Sequence, residues 1–271
     1  MDRLIFKIML MAISLMVLPS HSQHVNSQII SHSDMMDELF LKDVSSLSEF
    51  FKIYNSASGA IKDLSEEEKT RIIASLFDAS SDNNRSNIEL VRDFVSHVVN
   101  SPVRLSFDQS LWCADITVNV LYKNRKATLT LFLKPENMGN EIYRWALCGA
   151  NQLIKSGIVN DSVICTISPT DNELEFVGLP ERLQNDYTNA FGYRCGEIQI
   201  DQLSVFLYAV QQKAIKVDSI GEMKYHFMCV PGFSFIVEHC KNMGNSGWLI
   251  TSVDAVEDAN IEFNKLICGD E

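Results

Sequence analysis

The sequence predicts an α+β fold in which N-terminal helices lie across a curved antiparallel sheet. Three observations carry this. Helical spacing fills residues 34–99, two-residue alternation fills residues 103–147, and the same succession of helix and then strands restarts near residue 201. Helices grouped ahead of strands exclude alternating βαβ units, and with them a parallel doubly wound sheet.

Taken in order, the chain opens with a secretory signal. Arg3 and Lys7 form a basic start, residues 8–18 an apolar run, and Pro19-Ser20-His21-Ser22 a small-residue exit, with cleavage expected after Ser22. The run is well short of the ~20 apolar residues of a membrane span. No later stretch is longer and equally apolar, so no integral membrane segment is expected after cleavage. Residues 23–33 are a polar leader without periodicity.

The first helix is expected over about 34–55, because Phe40, Val44, Leu47, Phe51 and Tyr54 recur at intervals of three and four. Ser65-Glu66-Glu67-Glu68 is a capping box ahead of Ile72, Ile73, Leu76 and Phe77, and it starts the second. After a polar loop at 80–85, a further box at Ser86-Asn87-Ile88-Glu89 starts the third, carrying Val91, Phe94, Val95, Val98 and Val99. Pro102 ends this region, and Val103, Leu105 and Phe107 alternate as a strand.

Residues 112–133 are the hairpin on which the rest is organised. Ala114, Ile116, Val118, Val120 and Tyr122 share one face of its first arm; Ala127, Leu129, Leu131 and Leu133 answer from the second. A loop centred on Asn124-Arg125 sets Val118 opposite Leu131 and Val120 opposite Leu129, and Asp115 opposite Lys134 as a cross-strand ion pair. The three helices are expected to seal this aliphatic face. A turn at Asn137-Met138-Gly139-Asn140 leads to a strand bearing Tyr143, Trp145 and Leu147.

Further strands are expected at 162–168 and 174–177, and a loose helix at 181–190. Asp201 caps a helix whose Leu203, Phe206, Leu207 and Val210 fall on one stripe. A second hairpin follows, 225–229 with 233–240. Pairing Phe227 with Phe235 and Tyr225 with Val237 gathers its aromatic residues on one face, which requires an odd-length loop or a bulge at Val230-Pro231-Gly232 with Gly232 at positive φ. Trp248 begins the last strand, and Val256, Ala259, Phe263, Leu266 and Ile267 mark a closing helix.

Helix, strand, hairpin, Asn-Met-Gly-Asn turn and Trp-bearing strand thus occur twice. The recurrence reads either as an internal duplication or as convergent turn chemistry. The order of elements, with the strings Ile167-Ser168-Pro169-Thr170, Val230-Pro231-Gly232-Phe233 and Ser246-Gly247-Trp248-Leu249-Ile250, resembles uncharacterised exported bacterial proteins of the NTF2-like, cystatin-like α+β type. The resemblance implies helices packed across a curved sheet. With the signal (1–22) and leader (23–33), the order of elements divides the chain further into an NTF2-like unit (34–178) and a smaller α+β unit (179–271). The doubled pattern departs from a single NTF2-like domain.

Composition narrows the partners. The formal net charge of −12 becomes one unit more negative when Asp2, Arg3 and Lys7 leave with the signal, which argues against nucleic acid and anionic membrane surfaces. The 7 cysteines are odd in number and widely scattered, which suits buried thiols rather than a disulfide framework. No zinc spacing, phosphate loop, nucleophile elbow or His-Glu-x-x-His motif is present, so no metal or cofactor is expected.

The expected function is therefore non-catalytic binding of a small ligand or protein partner in the periplasm or outside the cell, by a chain that could also form a homodimer. The alternative is an isomerase, hydratase or lyase using a pocket of the NTF2-like sheet. Tyr143, Trp145 and Trp248 are the expected ligand-binding residues, because large aromatics with a polar tip favour half-open sites. His239 joins them, sharing a face with Phe235 and Val237.

Overall fold

A computed structural model describes residues 44–59, 63–140, 142–159, 179–185, 190, 193, 200–241 and 245–268. The predicted signal and leader, Phe40, the strands expected at 162–168 and 174–177, Cys165, Cys195 and most of the second Asn-Met-Gly-Asn turn lie outside these residues. Among the described residues, four helices precede the sheet: α1 (Leu47–Ala57), α2 (Glu66–Ser75), α3 (Asp82–Ser86) and α4 (Ile88–Asn100). Strands β1 (Trp112–Tyr122), β2 (Arg125–Asn137) and β3 (Tyr143–Asn151) follow, then α5 (Leu179–Asn185) and α6 (Gln202–Gln211). Strands β4 (Ile215–Val230), β5 (Phe233–Lys241) and β6 (Ser246–Ala255) precede the closing α7 (Ala259–Cys268). All six strands form one antiparallel sheet in the order β3-β2-β1-β4-β5-β6, curved by irregular register at four of its five interfaces.

Among the described residues, the helix expected over about 34–55 is formed only from Leu47. Ser46 is its cap: the Ser46 hydroxyl accepts from the Glu49 N–H (3.2 Å), while Glu49 Oε2 accepts from the Ser45 N–H (3.1 Å). Val44, expected within the helix, instead pairs in parallel with Gly247. The capping box at Ser65 and Glu68 forms as expected. The one at Ser86 does not, because Ser81 caps the short α3 and Ser86 becomes its last residue. Asn84 of the same helix is buried and donates to the Asp78 and Ile250 carbonyls (3.1 and 2.9 Å), so the Asn84-Arg85-Ser86 sequon has no free amide to carry a glycan.

No strand forms at 103–107. The Asn55 side chain of α1 takes both backbone groups of Leu105, donating to its carbonyl and accepting from its N–H (2.8 Å each). The segment is thereby held as an irregular strap between α4 and β1.

The first hairpin closes one residue earlier than expected. Tyr122 pairs with Arg125, leaving Lys123 (φ 47°) and Asn124 (φ 64°) as a two-residue turn with both φ positive, the primed turn that suits strand twist. Val118 consequently faces Leu129 and Ile116 faces Leu131; the shift is by two, so apolar side chains still meet. Asp115 lies opposite Phe132, not Lys134. In the second hairpin Phe227 pairs with Phe235 and Tyr225 with Val237, as expected. The loop, however, is not odd in length: Val230 pairs with Phe233 across Pro231-Gly232, so the offset is absorbed before the turn, by an irregularity between Phe227 and Val230, and Gly232 sits at φ 82°.

Helices cover the sheet in an exchanged manner. Phe50, Phe51 and Tyr54 of α1 and Phe94 and Val98 of α4 pack with Phe227, Phe235, Val237 and Ile250, strands of the later half. Phe206 of α6 packs instead with Val118, Val120 and Leu129, strands of the earlier half. The aliphatic hairpin face is therefore sealed by α6, while the N-terminal helices reach only its Trp112–Ala114 end.

Candidate binding site

The even-numbered residues of β1 point to the helix side of the sheet, and at Ala114 the side chain is too small to separate its neighbours. Tyr225 lies beside Ala114 on β4, Leu133 beside it on β2, and the rings of Trp145 and Tyr225 stack across this gap at 6.2 Å and 22°. From this pair ring contacts run both ways. Tyr225 meets Trp248 at 4.7 Å, and Trp248 meets His239, its cross-strand partner, edge-on at 5.4 Å. On the other side Trp145 meets Trp112 edge-on at 5.7 Å, Trp112 meets Phe107 at 5.9 Å, and Phe107 meets Tyr143 at 5.5 Å.

The four expected ligand-binding residues are thus joined in one strip of seven rings. His239 is exposed at one end, Trp145 and Tyr143 are half-buried at the other, and Trp248 is 9% exposed. Ile116, Leu133 and Met223, half-buried between the two helix layers, extend its apolar floor. Burial pushes the Tyr225 phenol up to about 12, so this wall is uncharged at neutral pH. Trp112, Tyr225 and Phe107 were not singled out from the sequence. Tyr225 could have been, since the hairpin register already placed it on the aromatic face.

The strap supplies the rim. The Asp108 carboxylate accepts from the Tyr143 hydroxyl (2.5 Å) and the Asn137 amide (2.8 Å), and these hydrogen bonds, Tyr143 first, hold its pKa below the usual carboxylate range. With the folded-state pKa depressed, the contact adds stability above the unfolded value and loses it as pH falls through the folded one. Replacing Tyr143 by phenylalanine should raise the Asp108 midpoint, read by side-chain NMR titration. An unchanged midpoint would show that the carboxylate is not engaged there.

The opposite face of the sheet carries charge. His226 Nε2 lies 3.3 Å from Asp115 Oδ2, with side chains 13% and 20% exposed, and Lys224 Nζ lies 3.0 Å from Glu238 Oε1. The Glu238 bond raises the Lys224 pKa. Glu238 Oε2 also accepts from the Thr251 hydroxyl (2.5 Å). Cys113 is buried beside this row with its thiol pushed well above its ordinary value by burial, and Cys148 is pushed up to about 11 for the same reason. Both shifts favour the protonated thiol.

A cavity of about 500 Å³ lies at the far end of the first hairpin, lined by Asn119, Thr128, Asp218 and Ser219 among others and by none of the four expected residues. Its side chains bond one another: Thr128 Oγ1 donates to Asn119 Oδ1 (3.2 Å), and Asn119 Nδ2 donates to Ser219 Oγ (3.1 Å). Among the described residues no group of three or more His, Cys, Asp or Glu side chains is placed to hold a metal ion, and no helix is long and apolar enough to cross a membrane.

Compared with known proteins, the chain matches no protein family, no curated protein and no solved structure.

Proposed function

We propose that the protein is exported and binds, without transforming, a small ligand or protein segment on the aromatic strip between its two helix layers. The observation that carries this is the unbroken run of ring contacts from His239 to Tyr143, buried in the middle and open at both ends. Rigid aromatic surface with polar tips gives much contact area for little conformational entropy, which favours recognition. The signal-like pattern read at residues 1–22 supports a periplasmic or extracellular setting.

An NTF2-like scaffold, doubled within one chain, is part of this reading. Its support is the symmetry of the sheet: β1-β2-β3 and β4-β5-β6 are two meanders joined antiparallel at β1 and β4, each preceded by a helix that packs on the other meander. Trp145 and Trp248 are the third residues of β3 and β6, and both meet Tyr225.

The apolar dye 1-anilinonaphthalene-8-sulfonate tests the strip. Trp145→Ala should weaken its binding by about tenfold, roughly 1.4 kcal/mol, while leaving the far-ultraviolet circular dichroism unchanged. Equal affinity for both proteins would end the proposal.

A second reading, an isomerase, hydratase or lyase, draws on the hydrogen-bonded Asp115–His226 pair, the arrangement of an oriented general base. The pair lies on the face away from the strip, which favours the binding reading. Turnover in a panel of carbonyl and hydroxy-acid substrates, lost in both His226→Gln and Asp115→Asn, would reverse that preference; no turnover by the wild type would dispose of it.

A further inference from the structure

We propose that the ligand of the strip is a peptide segment carrying an aromatic side chain, held by one of its amide groups beneath the strap at residues 106–110. This rests on the binding reading above and specifies its chemistry. Two buried polar atoms of the strap and its junction with β1 have no hydrogen-bond partner: Trp112 Nε1, on a side chain 2% exposed, and Gln109 Oε1. One is only a donor and the other only an acceptor, and each is costly to leave unmade in an apolar setting. A peptide amide supplies the complement of both, its carbonyl accepting from the Trp112 indole and its N–H donating to the Gln109 carbonyl.

The surroundings suit such a guest. Phe107 and Trp145 flank Trp112, and Tyr143 lies beyond Phe107; all three are half-buried and offer aromatic surface to a ring-bearing side chain. Leu111, between the two orphan atoms, has φ 63°, a region in which a bulky non-glycine residue is strained. Strain and unmet hydrogen bonds in the same few residues mark a segment organised for something other than its own stability. Entry needs the strap to part from Tyr143 and Asn137, whose two bonds to Asp108 are on the exposed side.

Two probes test this with the full mature chain: N-acetyl-phenylalanyl-phenylalanine amide, and its analogue in which the central N–H is replaced by an ester oxygen. Both present the same rings and a central carbonyl. Binding is followed by tryptophan fluorescence. The amide should bind about tenfold more tightly than the ester, and Gln109→Met, similar in size but without the acceptor, should abolish that preference. Equal binding of the two probes by the wild type, or a preference that survives Gln109→Met, overturns the amide assignment while leaving the strip a binding site. Failure of both probes to bind, together with dye binding unaffected by Trp145→Ala, overturns the strip reading and this inference with it. Failure of both probes while the dye binds as expected overturns the peptide assignment alone.

Discussion

Replacing Gly247 by alanine should destabilise the fold by about 3–5 kcal/mol, at the severe end for a single substitution. Gly247 has φ 95°, and a Cβ there would lie 2.2 Å from the Val44 carbonyl oxygen and 2.6 Å from its carbon. The obstacle is backbone, which cannot rotate away. It is also tied on both sides of the clash, the Val44 N–H donating to the Ser246 carbonyl (3.0 Å) and the Trp248 N–H to the Val44 carbonyl (2.9 Å). Relief requires Val44 to leave β6, which uncovers one edge of the sheet and the backbone of Trp248. The check is the urea midpoint at constant m-value. A loss below about 1 kcal/mol would mean that Val44 does not dock as described.

Phe227→Ala should cost a similar amount, about 3–5 kcal/mol, by opening a cavity at the centre of the aromatic core. Phe227 is 1% exposed and stacks on Trp112 (5.3 Å) and Phe235 (4.8 Å), both at 12°, while Phe50 and Phe51 of α1 approach from above. Four rings lose a neighbour at once. Because Trp112 loses its stacked partner, the tryptophan emission spectrum should also shift, a readout separate from stability. A variant with wild-type emission and a loss of less than about 1.5 kcal/mol would show that the core closes over the gap, at the low end of such substitutions.

Local signals in the sequence translate well where the backbone alone decides. The box at Ser65 and Glu68 forms, Asp201 caps α6, and the bulged register of the second hairpin follows from its aromatic pattern. Ser46 and Glu49 carry the same spacing as Ser65 and Glu68, and that pair, rather than the long apolar stripe, sets the start of α1. Lys123 hid the first turn, since it accepts a positive φ that asparagine or glycine would have advertised. The strand expected at 103–107 failed for a reason no local pattern contains: Asn55, fifty residues earlier, satisfies Leu105. Of the four expected residues, Trp248 and His239 touch directly, and Trp145 and Tyr143 join them only through intervening rings. Of their connectors, Tyr225 was already on the aromatic face of the second hairpin, whereas Trp112 became visible only once β1 and β4 were known to pair.

The exchanged packing of helices also sets a timetable for synthesis. α1 and α4 leave the ribosome long before β4, β5 and β6, the strands that bury them, and Val44 waits about 200 residues for its partner in β6. β1 to β3 wait in turn for α6. No early segment of the nascent chain contains both a helix layer and the strands that it covers, so the apolar faces of the first half stay uncovered until almost the whole polypeptide is made. Contacts of such long range make for slow closure and a late, concerted final step.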